Sequence, residues 1–105
     1  MAKEVLIYGP IYSYSAELFI NAINEIPEGE DLVVRINTGG GEVTAGWSMV
    51  AKFAEFKGNK SVKIDGQAMS FGSIFPLYAD NVEALDVSEF LIHRAAYPSW
   101  YEKEY

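Results

Sequence analysis

Three consecutive glycines, Gly39-Gly40-Gly41, follow the apolar run ending Ile36-Asn37-Thr38 and lead into Glu42-Val43-Thr44-Ala45-Gly46, the start of a helical pattern. Glycine has no side chain to shield the main chain and reaches φ > 0, so a negatively charged oxygen can approach bare N–H groups at the start of a helix. That is the chemistry of an anion or oxyanion hole. Further on, Gly66-Gln67-Ala68-Met69-Ser70-Phe71-Gly72-Ser73 sets a serine among small residues, which permit a sharp turn that holds its hydroxyl outward at a helix N-terminus. The only histidine, His93, follows in Leu91-Ile92-His93. A free imidazole titrates near about 6.5, so at neutral pH it can accept a hydroxyl proton and return it to a leaving amine. A nucleophile, a base and an oxyanion hole are thus all available.

Each of these residues also has a plainer reading. The glycine run alone is an ordinary strand-to-helix loop, and it lacks both the Gly-x-Gly-x-x-Gly spacing of a dinucleotide site and the Gly-Lys-Ser/Thr of a phosphate loop. Ser70 serves equally as a helix N-cap. Ser73, one turn further on, suits back-bonding to a carbonyl. Lys63 is a second base by type, but it alternates with Val62 and Ile64 and so is expected to face solvent. Asp65 and Asp86 are the acids that can orient the histidine from within the chain. Glu28, Glu30 and Asp31 read as a solvated loop, and no histidine and acid stand at metal-ligand spacing, so neither a metal nor a cofactor is expected.

The elements that position these residues follow from periodicity. Val5–Tyr8 reads as a buried strand closed by Gly9-Pro10. Ser15 caps a helix from Ala16 to Ile26 whose apolar face is Leu18, Phe19, Ala22, Ile23 and Ile26, stopped by Pro27 and Gly29. Leu32–Ile36 is the second strand, and the helix after the glycines carries Trp47, Val50, Ala51 and Ala54 at helical spacing, ending at Gly58-Asn59. Ser61–Ile64 is a third strand. Ser70 then opens an apolar helix reaching Ala79, and Val82–Val87 and Glu89–His93 are two more strands. Strands alternating with helices predict βαβ units, an α/β fold with a mainly parallel sheet flanked by helices, and ligand sites at strand C-terminal ends. Gly41, Ser70 and His93 all fall at such ends.

The 105 residues are expected to form one domain over 1–105, half hydrophobic and therefore globular. A net charge of −7 with eight scattered basic residues excludes a nucleic-acid surface. No cysteine is present, so disulfides and thiolate metal sites are excluded. The start Met1-Ala2-Lys3-Glu4 lacks the pattern of a secretory signal, no apolar run has membrane-spanning length, and the expected address is the cytoplasm. The aromatic stretch Tyr97–Tyr105 is expected to pack on this domain, on a missing segment or on a neighbour.

In order and spacing, these motifs resemble a known family. Asn37-Thr38-Gly39-Gly40-Gly41-Glu42-Val43-Thr44-Ala45-Gly46 is similar to the Asn-Ser-Pro-Gly-Gly turn of the Clp protease proteolytic subunit, and Gly66-Gln67-Ala68-Met69-Ser70-Phe71-Gly72 is similar to its Gly-Gln-Ala-Ala-Ser-Met-Gly turn. Ile92-His93 falls where the family has Ile-His, and the likeness runs from about Glu4 to His93. The resemblance implies a fold of the crotonase type, Ser70 as nucleophile, His93 as general base, and an oxyanion hole from the N–H groups of Gly41 and Phe71. It places peptide substrate along Gly40, Glu42 and Val43. The implied activity is serine endopeptidase action that itself needs no ATP, in a homo-oligomer, with an unfoldase or capsid-assembly partner. Gly39 stands where the family has proline, and with the continuation Arg94-Ala95 it resembles phage and prophage members. The family's triad aspartate lies downstream of the histidine, where this sequence has none, so the C-terminal helical arm is expected to be missing. Two other readings fit the same motifs: a crotonase-like acyl-CoA enzyme, and a silent assembly module.

Overall fold

The computed structural model describes residues 2–85 and 88–91. Five strands and two α-helices lie along them, alternating as far as β3: β1 Ala2–Tyr8, α1 Ser13–Asn24, β2 Asp31–Thr38, α2 Val43–Glu55, β3 Lys60–Met69, β4 Asn81–Ala84 and β5 Glu89–Leu91. The sheet is parallel throughout in the order β1-β2-β3-β4, and β5 pairs with the second half of β3. Right-handed crossovers between neighbouring parallel strands bring successive helices to the same face, and α1 and α2 accordingly pack on each other. Alternation sets the faces. Val5 and Ile7 of β1, Leu32, Val34, Ile36 and Thr38 of β2, and Val62, Ile64 and Ala68 of β3 are buried beneath the helices. No helix among the described residues is long and apolar enough to cross a membrane.

Several boundaries differ from the sequence expectation. Helix α1 starts at Ser13, and Ser15 sits inside its first turn, where its Oγ accepts the Tyr12 N–H at 2.7 Å in the manner of a capping box. Leu18 is half exposed, while Ala16, Phe19 and Ile23 face the core. Trp47 of α2 is likewise exposed. Strand β3 is longer than Ser61–Ile64, because a register shift between Ile36 and Thr38 lets it continue through Gly66 to pair Ala68 with Thr38.

The expected helix from Ser70 to Ala79 is instead two 3-10 turns, Ser70–Ser73 and Phe75–Tyr78. Pro76 lacks an N–H and disfavours α conformation in the residue before it, which stops a continuous helix. The second turn is anchored by Phe75, fully buried with its ring edge-on to Phe19 of α1 and Phe53 of α2, both at 5.8 Å. Strand β4 ends at Ala84, and the step to β5 is pinned by Ser88, whose Oγ accepts the Leu85 N–H at 3.0 Å and donates to the Ile64 carbonyl at 2.9 Å. Asp86, Ile92, His93 and the aromatic stretch Tyr97–Tyr105 lie outside the described residues.

On the sheet face away from the helices, Arg35 donates from Nε and Nη2 to both oxygens of Asp65 at 2.9 and 2.8 Å, and from Nη1 to Glu4 at 3.3 Å. The Tyr8 hydroxyl donates to Asp65 Oδ2 at 2.5 Å. Arg35 first, then Tyr8, holds the Asp65 carboxyl below the usual carboxylate range, with Lys63 adding to the positive field. Asp65 is therefore committed to this cluster, which corrects its candidacy as the acid behind a histidine. A depressed folded pKa contributes stability that is present above the unfolded value of 3.8 and is lost as pH falls through the folded value. Denaturant midpoints of the wild type and Asp65→Asn should thus differ most near neutrality and converge once the pH has fallen through the lowered folded value. A gap that stays constant with pH would disprove the ionic role of Asp65.

Candidate active site

Strand β3 runs extended to Met69, and the chain then turns abruptly at Ser70, whose φ of 54° makes it the one non-glycine residue with positive φ among those described. Left-handed backbone costs a residue with a Cβ about 1–3 kcal/mol and persists only where its surroundings impose it. Here the glycine turn does so. Gly40 has φ of 98°, and a Cβ on it would stand 2.5 Å from Ser70 Cβ and 3.0 Å from Ser70 Oγ. Only a glycine lets the two turns meet. A Cβ on Gly39 would meet nothing within 4 Å and its φ is not positive, so a side chain is permitted there.

Next to Ser70, the buried Phe71 ring lies flat on α2 where Gly46 leaves room, a Cβ there being 2.5 Å from the ring, and Trp47 meets its edge at 5.2 Å. A glycine is needed at position 46 because that ring occupies its side-chain space. Phe71 is the second residue of its 3-10 turn, so its N–H precedes any carbonyl that the turn itself offers. Ser73, the rival nucleophile, is fully buried and donates from Oγ to the Ser70 carbonyl at 2.6 Å, as back-bonding predicts.

Gly41 is exposed, and its backbone runs against Ile11 in an isolated parallel bridge: the Ile11 N–H donates to the Gly40 carbonyl, and the Glu42 N–H to the Ile11 carbonyl, both at 2.9 Å. Among the described residues, none hydrogen-bonds to the Gly41 N–H or the Ser70 hydroxyl. Glu42 precedes α2, accepts the Gly46 N–H at its carbonyl, and accepts the Ser13 N–H at its carboxylate at 3.0 Å. It thereby joins the first turn of α1 to the glycine turn. Val43 is partly exposed beside it.

The structure therefore brings Ser70, Gly40 and the Phe71 backbone together, with Gly41 next in the chain, while His93 falls outside the described residues. Sequence reasoning missed Thr38 and Ile11. Thr38 is 2% exposed, donates from Oγ1 to the Gly9 carbonyl at 2.6 Å and accepts the Gly40 N–H at 3.1 Å. The available signal was a hydroxyl residue just before the glycines.

Comparison with known proteins bears on the fold and the family. The structure superposes on that of a ClpP1 mutant from Listeria monocytogenes with a TM-score of 0.83 and 28% sequence identity, covering 89% of this chain. The chain spans 57% of the length of that protein. A family model described as Clp protease matches residues 1–99. With nearly the whole sequence matched and the fold shared, the chain belongs to the Clp protease family.

Proposed function

We propose that this chain is the core of a serine peptidase in which Ser70 is the nucleophile, His93 the general base, and the N–H groups of Gly41 and Phe71 the oxyanion hole. Ser70 Oγ attacks a peptide carbonyl carbon while its proton passes to His93. The tetrahedral oxyanion is held by the two N–H groups, each worth about 3 kcal/mol in comparable sites. Collapse expels the amine with the proton from His93, and water, activated by the same imidazole, then releases the acyl group from Ser70. Peptide is expected to lie along Gly40, Glu42 and Val43, in an assembly of several copies of the chain. The observation that carries this reading is the left-handed backbone of Ser70 against Gly40. Strain of this kind at a strand-to-turn junction holds a nucleophile at a sharp corner, whereas a helix cap needs no such conformation.

A fluorophosphonate probe tests the reading, because it reacts with an activated serine. Mass spectrometry should locate a single adduct on the peptide containing Ser70. Absence of an adduct in the folded protein would overturn the peptidase reading in favour of a silent module.

A further inference from the structure

Three successive peptide planes in the glycine turn are each held by a hydrogen bond. The Gly39–Gly40 plane is fixed by the Gly40 N–H to Thr38 Oγ1, the Gly40–Gly41 plane by the Gly40 carbonyl to the Ile11 N–H, and the Gly41–Glu42 plane by the Glu42 N–H to the Ile11 carbonyl. A trans peptide sets its C=O and N–H on opposite sides. A Gly40 carbonyl turned towards Ile11 therefore leaves the Gly41 N–H pointing away from Ile11. Glycines resist the reverse orientation weakly on steric grounds, so these bonds decide which way the plane faces.

The Ile11 segment is in turn held by Thr38, which donates to the Gly9 carbonyl while Gly9 donates from its N–H to the Asn37 carbonyl at 3.0 Å. One buried hydroxyl thus binds both sides of the bridge at once.

We propose that Thr38 is a positioning residue that locks the glycine turn with the Gly41 N–H presented, so that the oxyanion hole is formed before substrate arrives. The catalytic consequence rests on the peptidase reading; the lock itself does not. Thr38→Val keeps the shape and removes both bonds, and Thr38→Ser restores the hydroxyl. Leu32→Val, in β2 and buried, controls for lost stability alone.

Two quantities are measured on the full chain: the acylation rate of Ser70 by saturating fluorophosphonate with the concentration giving half that rate, and amide hydrogen exchange at Gly40. Thr38→Val should lower the saturating rate by about 10–100-fold with little change in half-saturation, since a small misplacement of the hole affects the reacting state more than binding. Its Gly40 amide should exchange at least about tenfold faster. Thr38→Ser should recover both, and Leu32→Val should change neither. Should Thr38→Val fail to fold, Thr38→Ala supplies the same loss of bonds without a branched side chain. A folded variant lacking the hydroxyl that acylates at the wild-type rate overturns the proposal. If the wild type takes up no probe, exchange at Gly40 decides: acceleration without the hydroxyl supports the lock while the peptidase reading falls, and unchanged exchange overturns the lock as well.

Discussion

Ser70→Ala should lower peptide turnover by roughly a million-fold, the scale seen when the nucleophile of a serine peptidase is removed, with no loss of fold. Two features make the expectation sharp. The neighbouring hydroxyl, Ser73, is no substitute, being buried and already donating to the Ser70 carbonyl. Alanine also keeps the Cβ that touches Gly40, so the turn keeps its shape. Steady-state hydrolysis of a fluorogenic peptide, alongside circular dichroism, reads both halves of the expectation. Turnover within tenfold of wild type would remove Ser70 from the mechanism, on the same scale.

The largest effect on stability is expected from Phe75→Ala. The ring is wholly buried between Phe19 of α1 and Phe53 of α2, and it is the point at which the segment after the serine turn is tied to both helices. Truncating a buried phenylalanine costs about 3–5 kcal/mol through lost burial and the cavity left behind. A domain of this size has only about 5–15 kcal/mol to lose. Urea unfolding should show a midpoint shifted far down with an unchanged slope, or no cooperative transition. A shift worth less than about 1 kcal/mol would mean that the helices close over the gap.

How much of this was legible in the sequence depended on whether the cause was local. The first two strands and the place of α2 followed from apolar runs and helical spacing, although of the four apolar positions read on α2 only Val50 is buried, Trp47 and Ala51 being exposed. The start of α1 was misplaced because Ser15 can serve a helix from inside the first turn as well as from before it. Pro76 was a visible warning against a helix to Ala79 that apolar content obscured. Asp65 was misjudged for another reason: its partner Arg35 lies on a neighbouring strand, and only the pairing of β2 with β3 brings them together.

For the site, small residues predicted a tight serine turn, and the structure adds why Gly40 and Gly46 must be small: one faces Ser70 and the other a phenylalanine ring. The bond from the Gly40 N–H to Thr38 is local and was hinted at by a hydroxyl just before the glycines, but the bond from Thr38 to the Gly9 carbonyl could not be read, since it exists only once β1 and β2 are side by side.

The backbone at Ser70 has an evolutionary consequence. At φ of 54° a glycine is comfortable where serine is strained. Position 70 therefore sets heat tolerance against chemistry, and a library of this chain ranked only by survival of heating should enrich glycine there. Such a screen would deliver a sturdier protein with no hydroxyl to react, and serine at this corner is retained only where something selects for what it does.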